Sequence, residues 1–279
     1  MMSPVELKRT SAECDHATTD RRVALKLLWL LGDPKSPIEQ ITRAISADPA
    51  LTARILALAN LPTFRARGVT SVARAASVLG PGLVRSLSST AALELFSEQS
   101  EPDGGLWLHS ITTAVAAARV AGCVRVNAAE ALTVGLLHDY GEQILRARDP
   151  QRFDEIAGAI GNQRPHSRLT IERRLFGTDH ALVGAQGLSD LGLPATLTKA
   201  IHEHHASSEN QTPLAAVLQS ADAIAHVLDG AFDEDVLAPL RRHGVHTQNS
   251  DKLIAATEVD RSALLKFLSE FIAPRAEAR

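Results

Sequence analysis

The sequence predicts an all-α protein. Apolar residues recur at spacings of three and four along most of the chain, and no long segment alternates with the period of two that marks a strand. Prolines and helix-capping residues stand just before several of these apolar segments, as they commonly do at the start of a helix. The composition, 45% hydrophobic and 22% charged, is that of an ordinary globular protein rather than a disordered or fibrous chain.

The N-terminal third carries clear helix signals. Residues 36–39, Ser-Pro-Ile-Glu, match a capping box with proline at the first helical position, and Asp48-Pro49 starts a second helix in the same way. Apolar stripes over 72–79 and 83–95 continue the pattern. These signals predict an N-terminal helical lobe over residues 21–100. Residues 1–20 are polar and aperiodic and predict a disordered leader.

A second helical lobe is predicted over residues 101–230, after a stretch of helix breakers at 97–105. Residues 231–279 are predicted to form a C-terminal extension, with an amphipathic helix from about Asp260 to Ile272. The helices predicted in the second lobe cover about 106–121, 127–137, 152–160, 170–176, 179–192, 194–205 and 213–228.

Charge and cysteine content exclude several classes of protein. The net charge of -3 gives no general attraction to nucleic acid, and aromatic residues for base stacking are scarce at 4%. The two cysteines, Cys14 and Cys123, have no CxxC spacing, which favours a reducing compartment. The sequence shows no signal-peptide core and no run of the ~18 apolar residues that a membrane span needs. We therefore expect a cytoplasmic protein without nucleic-acid or membrane contacts.

Histidines and carboxylates cluster at the ends of the predicted helices. Imidazole nitrogens and carboxylate oxygens together suit zinc, iron or manganese. Asp222 lies mid-helix beside an apolar face, where a carboxylate needs a partner. Taken singly, each residue also fits a helix cap, a pairing with a buried arginine or a water network, but the set favours a metal. Its members are His109, His138, Asp139, His180, the run 202–205 and Asp222.

The segment 136–141, Leu-Leu-His-Asp-Tyr-Gly, resembles the signature of the HD phosphohydrolase superfamily. More specifically, the chain from about Ala24 to Leu228 resembles an HDOD domain, the HD-related output domain of bacterial signalling proteins. The segments that carry this resemblance are DPALTARILALAN (48–60), VTSVARAASVLGPGLVRSL (69–87), LWLHS (106–110), GLLHDYG (135–141), FGTDHALVGAQGL (176–188), LGLPATLTKAIHEHH (191–205) and SADAIAH (220–226).

The resemblance implies an N-terminal helical bundle packed on a second, HD-like bundle. It implies a regulatory protein that works by contact with other signalling or regulatory proteins, and a centre that can hold one or two Fe, Mn or Zn ions. His202 has no counterpart among the relatives' ligands. The residues that fall where metal-binding relatives place ligands are His109, His138, Asp139, His180, His204, His205 and Asp222.

A metal-dependent phosphohydrolase acting on a nucleotide or another phosphoester is the alternative function. Two departures argue against hydrolysis of cyclic-di-GMP. Glu142 stands where the related HD-GYP phosphodiesterases have a lysine that can meet substrate phosphate, and a carboxylate there repels phosphate. The Gly-Tyr-Pro tripeptide that defines those enzymes does not occur in this chain. The same donors could also be retained without a metal, as hydrogen-bonded helix ends that only support the fold.

Overall fold

The computed structural model describes residues 19–61, 64, 66, 68–94, 104–160, 165–206, 211–230, 237–241 and 250–269. These residues form helices and connecting turns without a β-strand, which confirms the predicted all-α class. Within this part of the chain, the helices lack the combined length and hydrophobicity needed to cross a bilayer. The predicted leader, apart from residues 19 and 20, and most of the 97–105 stretch lie outside the described residues.

Five helices build the N-terminal bundle. They are α1 (Arg21–Leu31), α2 (Ile38–Ile45), α3 (Pro49–Ala59), α4 (Val72–Leu79) and α5 (Pro81–Glu94). Helix α3 begins as predicted, because the Asp48 carboxylate accepts a hydrogen bond of 2.7 Å from the Leu51 N–H. The predicted capping box at α2 is wrong. Pro37 itself takes the N-cap position and supplies no side-chain cap, so the helix starts one residue later than predicted.

The remaining helices form the second bundle and the C-terminal extension. They are α6 (Gly104–Ala121), α7 (Ala128–Leu137), α8 (Tyr140–Arg148), α9 (Pro150–Ile160), α10 (Pro165–Phe176), α11 (His180–Asp190), α12 (Ala195–Glu203), α13 (Pro213–Leu228), α14 (Ala238–Arg241) and α15 (Ser250–Ser269). Sequence reasoning missed α8, which follows α7 after only two residues. It also started the last helix ten residues too late, at Asp260 instead of Ser250.

One hydrophobic core joins the two bundles. It runs from Val23 on α1 to Leu218 on α13, which confirms that the N-terminal bundle packs on a second one. Trp107 on α6 fixes this junction. Its indole N–H donates a hydrogen bond of 2.9 Å to the Ala47 carbonyl, and the Arg22 guanidinium lies 3.6 Å from the centre of its ring. The residue limits of the two lobes stay a prediction.

Two glycines bring the helices of the second bundle unusually close together. A Cβ on Gly135 of α7 would lie 2.7 Å from the Ala114 Cα of α6. A Cβ on Gly141 of α8 would overlap the backbone carbonyl of His180 at the start of α11 and lie 2.8 Å from the Gly184 nitrogen. Only glycine allows these approaches. The short link between α7 and α8 is therefore held against α6 on one side and α11 on the other.

Candidate metal centre

The link between α7 and α8, His138 and Asp139, lies at the centre of the predicted ligands. Asp139 Oδ2 lies 3.1 Å from His138 Nε2 and 3.8 Å from His109 Nε2. Its other oxygen, Oδ1, lies 3.4 Å from His180 Nε2 and 4.0 Å from His204 Nε2. The two oxygens of this carboxylate therefore face two different groups of histidines.

The donors divide into two clusters on either side of Asp139. We call His109, His138 and Asp222 the His109 cluster, and His180, His204 and His205 the His180 cluster. In the His109 cluster, Asp222 Oδ1 lies 3.1 Å from His109 Nε2 and 3.7 Å from His138 Nε2. In the His180 cluster, the Nε2 atoms of His180 and His205 are 3.0 Å apart. All seven predicted ligands thus come together in the fold.

These separations match those of ligands around an ion. Two donors that each lie about 2.0–2.2 Å from one metal at tetrahedral or octahedral angles are roughly 2.8–3.6 Å apart. His109, His138 and Asp139 offer ligand atoms within 4.8 Å of one another, and so do His180, His204 and His205. The arrangement fits two ions with Asp139 between them.

The histidine rings are oriented as in metal sites. The Nδ1 atoms of His138 and His204 lie 2.9 Å from the Gly135 carbonyl oxygen and 2.5 Å from the Ile201 carbonyl oxygen. A carbonyl only accepts, so each Nδ1 carries a hydrogen and each ring turns its Nε2 to the centre. Metal-ligating histidines are commonly fixed in this way by an outer acceptor.

Two of these nitrogens form no well-directed hydrogen bond among the described residues, although Asp139 Oδ2 lies 3.1 Å from His138 Nε2. Nε2 of His138 and Nε2 of His204 are buried and lack a partner with hydrogen-bond geometry among the described residues. Leaving a buried polar atom unsatisfied costs about 1–3 kcal/mol, so native proteins rarely do so without a reason. Two orphaned lone pairs that face the same carboxylate are the donor set a divalent cation would complete. The residues present therefore fit the metal that the resemblance implies.

A family model for the HDOD domain matches residues 18–207, about two thirds of the chain. The chain belongs to the HDOD family. A response regulator, MmoQ from Methylococcus capsulatus, is 28% identical in a solved structure and superimposes with a TM-score of 0.73, over 87% of this chain and 99% of that one. The HDOD assignment and this likeness place the protein in a signalling family.

Two further proteins resemble this chain, one in fold and one in part of its sequence. A virulence factor from Campylobacter jejuni shares the fold of this HDOD protein at 15% identity, with a TM-score of 0.65 over 91% of this chain and 99% of that one. Ribonuclease Y from Thermosipho melanesiensis is 28% identical over 134 residues, which are 48% of this chain. The HDOD chain spans only about a fifth of that relative, 21% of its length.

The charges of the HDOD centre raise the pKa of one histidine and lower the pKa values of two carboxyl groups. Burial alone would lower the pKa of His109, but hydrogen bonds to Asp222 and Asp229 outweigh it and raise the pKa to about 9. The surrounding imidazoles hold the pKa values of Asp139 and Asp222 well below the usual range, against the effect of burial. Burial lowers the pKa of His204 to about 4, with a further contribution from His138 and His180. The carboxylates therefore stay ionised beside a neutral nitrogen donor.

Sequence reasoning missed three side chains around the ligands. The Glu172 carboxylate lies 2.7 Å from His180 Nδ1, and the Asp229 carboxylate lies 3.0 Å from His109 Nδ1. Both hold a ligand ring in place from outside. His226 Nε2 lies 3.3 Å from Asp222 Oδ1, one helical turn away on α13. The i, i+4 spacing could have revealed His226, but no local signal connects Glu172 or Asp229 to the centre. His202 is exposed on α12.

Glu142 is tied to an arginine beside the centre. The Arg168 Nη2 lies 2.6 Å from Glu142 Oε1, and Arg168 Nε donates a hydrogen bond of 2.9 Å to Glu172. Burial raises the pKa of Glu142 to about 7, although the guanidinium opposes this change. Asp139, Glu142 and His180 also place their ligand atoms within 4.8 Å of one another. A paired carboxylate therefore lies close to Asp139 and His180 in this HDOD protein.

Proposed function

We propose that this HDOD protein is a bacterial signal-transduction module that acts by binding another regulatory protein and holds a divalent metal centre. The observation that carries the regulatory part is the likeness to a response regulator across almost the whole of both chains. Such a likeness, with 28% identity, extends far beyond a shared motif.

The metal part of the proposal rests on the orphaned Nε2 atoms of His138 and His204. One or two Fe, Mn or Zn ions would add Lewis-acid chemistry and cross-link the bundle when bound. The chain's own contribution is orientation, since outer acceptors fix the ligand rings before any ion arrives. The residues that would hold the ions are His109, His138, Asp139, His180, His204, His205 and Asp222.

Elemental analysis tests the metal part. The wild type, purified without an affinity tag or chelator and reconstituted with Fe, Mn or Zn, is compared with a His138→Ala, Asp139→Ala double variant. We expect one or two ions per chain in the wild type and loss of metal in the variant. Circular dichroism confirms that the variant is helical. Absence of metal from the reconstituted wild type would contradict the proposed centre.

A complex of purified components tests the regulatory part. Proteins that co-purify with this chain from its native cells are identified, and the candidate partner is produced separately. We expect a complex of defined stoichiometry by light scattering, retained when the partner is mixed with the wild type at micromolar concentration. Failure of every purified candidate to form such a complex would contradict partner binding.

A metal-dependent phosphohydrolase is the second candidate. It is supported by the match to a ribonuclease over 134 residues and by the position of Asp139 between two donor clusters. The resemblance argues against cyclic-di-GMP as its substrate, because Glu142, here paired with Arg168, stands where the HD-GYP phosphodiesterases have a lysine. Turnover of bis(4-nitrophenyl) phosphate or a short RNA by the loaded wild type, lost in His138→Ala, would favour the hydrolase.

A further inference from the structure

His226 stands at the solvent edge of the His109 cluster. Its side chain is 39% exposed, whereas those of His109 and Asp222 are 12% and 8% exposed. Its ring centre lies 4.7 Å from that of His109, with an angle of 37° between the ring planes. Among the described residues it is therefore the most exposed histidine in contact with the candidate ligands, and it lies on their solvent side.

The donor geometry of His226 matches that of the predicted ligands. Its Nε2 lies 3.3 Å from Asp222 Oδ1, within the separation of roughly 2.8–3.6 Å expected for two ligands of one ion. His109, Asp222 and His226 place their ligand atoms within 4.8 Å of one another, as closely as His109, His138 and Asp139 do. An ion held by His109 and Asp222 is therefore within reach of a third donor on α13.

The position of His226 determines whether the metal site would be open or closed to water and substrate. Structural metal sites are closed by protein ligands, whereas catalytic sites leave one position open for water or substrate. On the buried side of His109, the His138 and Asp139 side chains are only 1% and 9% exposed, and Asp139 Oδ2 lies 3.8 Å from His109 Nε2. A histidine on the solvent side would occupy the position through which an anion approaches.

We propose that His226 is a further ligand of the ion in the His109 cluster and closes its solvent-facing position. The inference rests on the proposed metal centre and goes beyond it, because it assigns a residue outside the predicted set. A closed site of this kind would let this chain hold a metal without leaving a position open to a substrate. A simple surface ion pair between His226 and Asp222 is the competing interpretation, and it predicts no change in metal binding when His226 is removed.

Cobalt titration separates the two interpretations, because the visible spectrum of Co²⁺ reports the number and type of its ligands. Wild type, His226→Ala and His202→Ala are titrated with Co²⁺ after chelator treatment and dialysis. His202 is the matched control, since it is also an exposed histidine on a helix. We expect His226→Ala to bind one ion at least tenfold more weakly and to shift the visible bands. His202→Ala should titrate as the wild type does.

Inorganic phosphate then probes the opened position. Phosphate should change the spectrum of the Co²⁺-loaded His226→Ala protein and leave the loaded wild type unchanged. Identical titrations and identical phosphate responses of the two proteins would overturn the role of His226 while leaving the metal centre intact. A wild type that binds no Co²⁺ would overturn the centre and this inference together. Because His226 is partly exposed, its truncation should not unfold the protein, which circular dichroism checks.

Discussion

The two bundles bury ionisable side chains in different ways. In the N-terminal bundle, the fully buried Asp48 accepts backbone hydrogen bonds of 2.7 Å from both Leu51 and Asp20. In the second bundle, the equally buried His138 and His204 each have one nitrogen that forms no well-directed hydrogen bond among the described residues. Buried polar groups are normally satisfied within the chain. The Asp48 carboxylate of the first bundle is satisfied by backbone N–H groups, whereas the two histidine nitrogens of the second are placed where a bound cation would complete them.

The largest expected effect is a metal-dependent rise in the free energy of unfolding that depends on the second bundle and not on the first. An ion that binds only the folded state at a thousand times its dissociation constant raises the free energy of unfolding by about 4 kcal/mol. We expect this rise for the wild type in Mn²⁺ or Zn²⁺ and its loss in Asp139→Ala. Asp48→Asn, in the other bundle, should keep the full rise. Denaturant unfolding with and without the ion measures this rise. A rise in Asp139→Ala equal to that of the wild type would show that metal stabilisation does not depend on the second bundle's centre.

A substitution at the contact between α8 and α11 should have the next largest effect on the free energy of unfolding. In Gly141→Ala the new methyl group would overlap the His180 backbone, which cannot move without displacing a ligand. We expect a loss of about 3 kcal/mol in the free energy of unfolding of the metal-free protein. Gly82→Ala is the control, because a Cβ at that position on α5 meets nothing within 4 Å. Equal stabilities of the two variants would show that the helices can separate at no cost.

Asp48 should give the N-terminal bundle its own pH dependence. Burial raises the pKa of Asp48 to about 7, against the opposing backbone hydrogen bonds from Leu51 and Asp20. The folded protein then binds a proton between about pH 4 and 7 that the unfolded chain has already released, so stability falls as the pH rises through this window. Relative to Asp48→Asn, the wild type should lose about 1 kcal/mol per pH unit between pH 5 and 7.

Denaturant unfolding of the metal-free proteins at pH 5, 6 and 7 measures this loss. Taking the difference between wild type and variant removes the titration of the histidines, which both proteins share. Asp154→Asn, on the exposed face of α9, serves as the control and should follow the wild type. A constant difference between wild type and Asp48→Asn over this range would show that the carboxylate is ionised in the folded state throughout.

The two bundles also differ in how far the roles of their buried polar residues can be predicted from the sequence. The capping role of Asp48 can be predicted from its neighbours in the sequence, because a helix begins at the next residue. The sequence analysis placed this cap correctly. The seven candidate ligands follow from the resemblance to metal-binding relatives, and all of them meet in the fold. Glu172 and Asp229 could not be chosen in this way. Their roles depend on how α10 and the end of α13 pack, which no spacing within one helix reports.

Glu172 should have the smallest of these effects, because it acts on a ligand rather than on the metal. Its carboxylate fixes His180 through Nδ1, at 2.7 Å, and through the backbone N–H, at 2.9 Å. Both bonds end on Oε2, so the amide oxygen of Glu172→Gln can still accept them, but the negative charge that makes the ring a stronger donor is lost. We expect about tenfold weaker Mn²⁺ binding by calorimetry, at the low end of what such outer partners contribute. Glu155→Gln, exposed on α9, should bind as the wild type does. If Glu172→Gln also binds with wild-type affinity, ring orientation alone prepares the His180 cluster, and the second bundle depends less on charge than the Asp139 contacts imply.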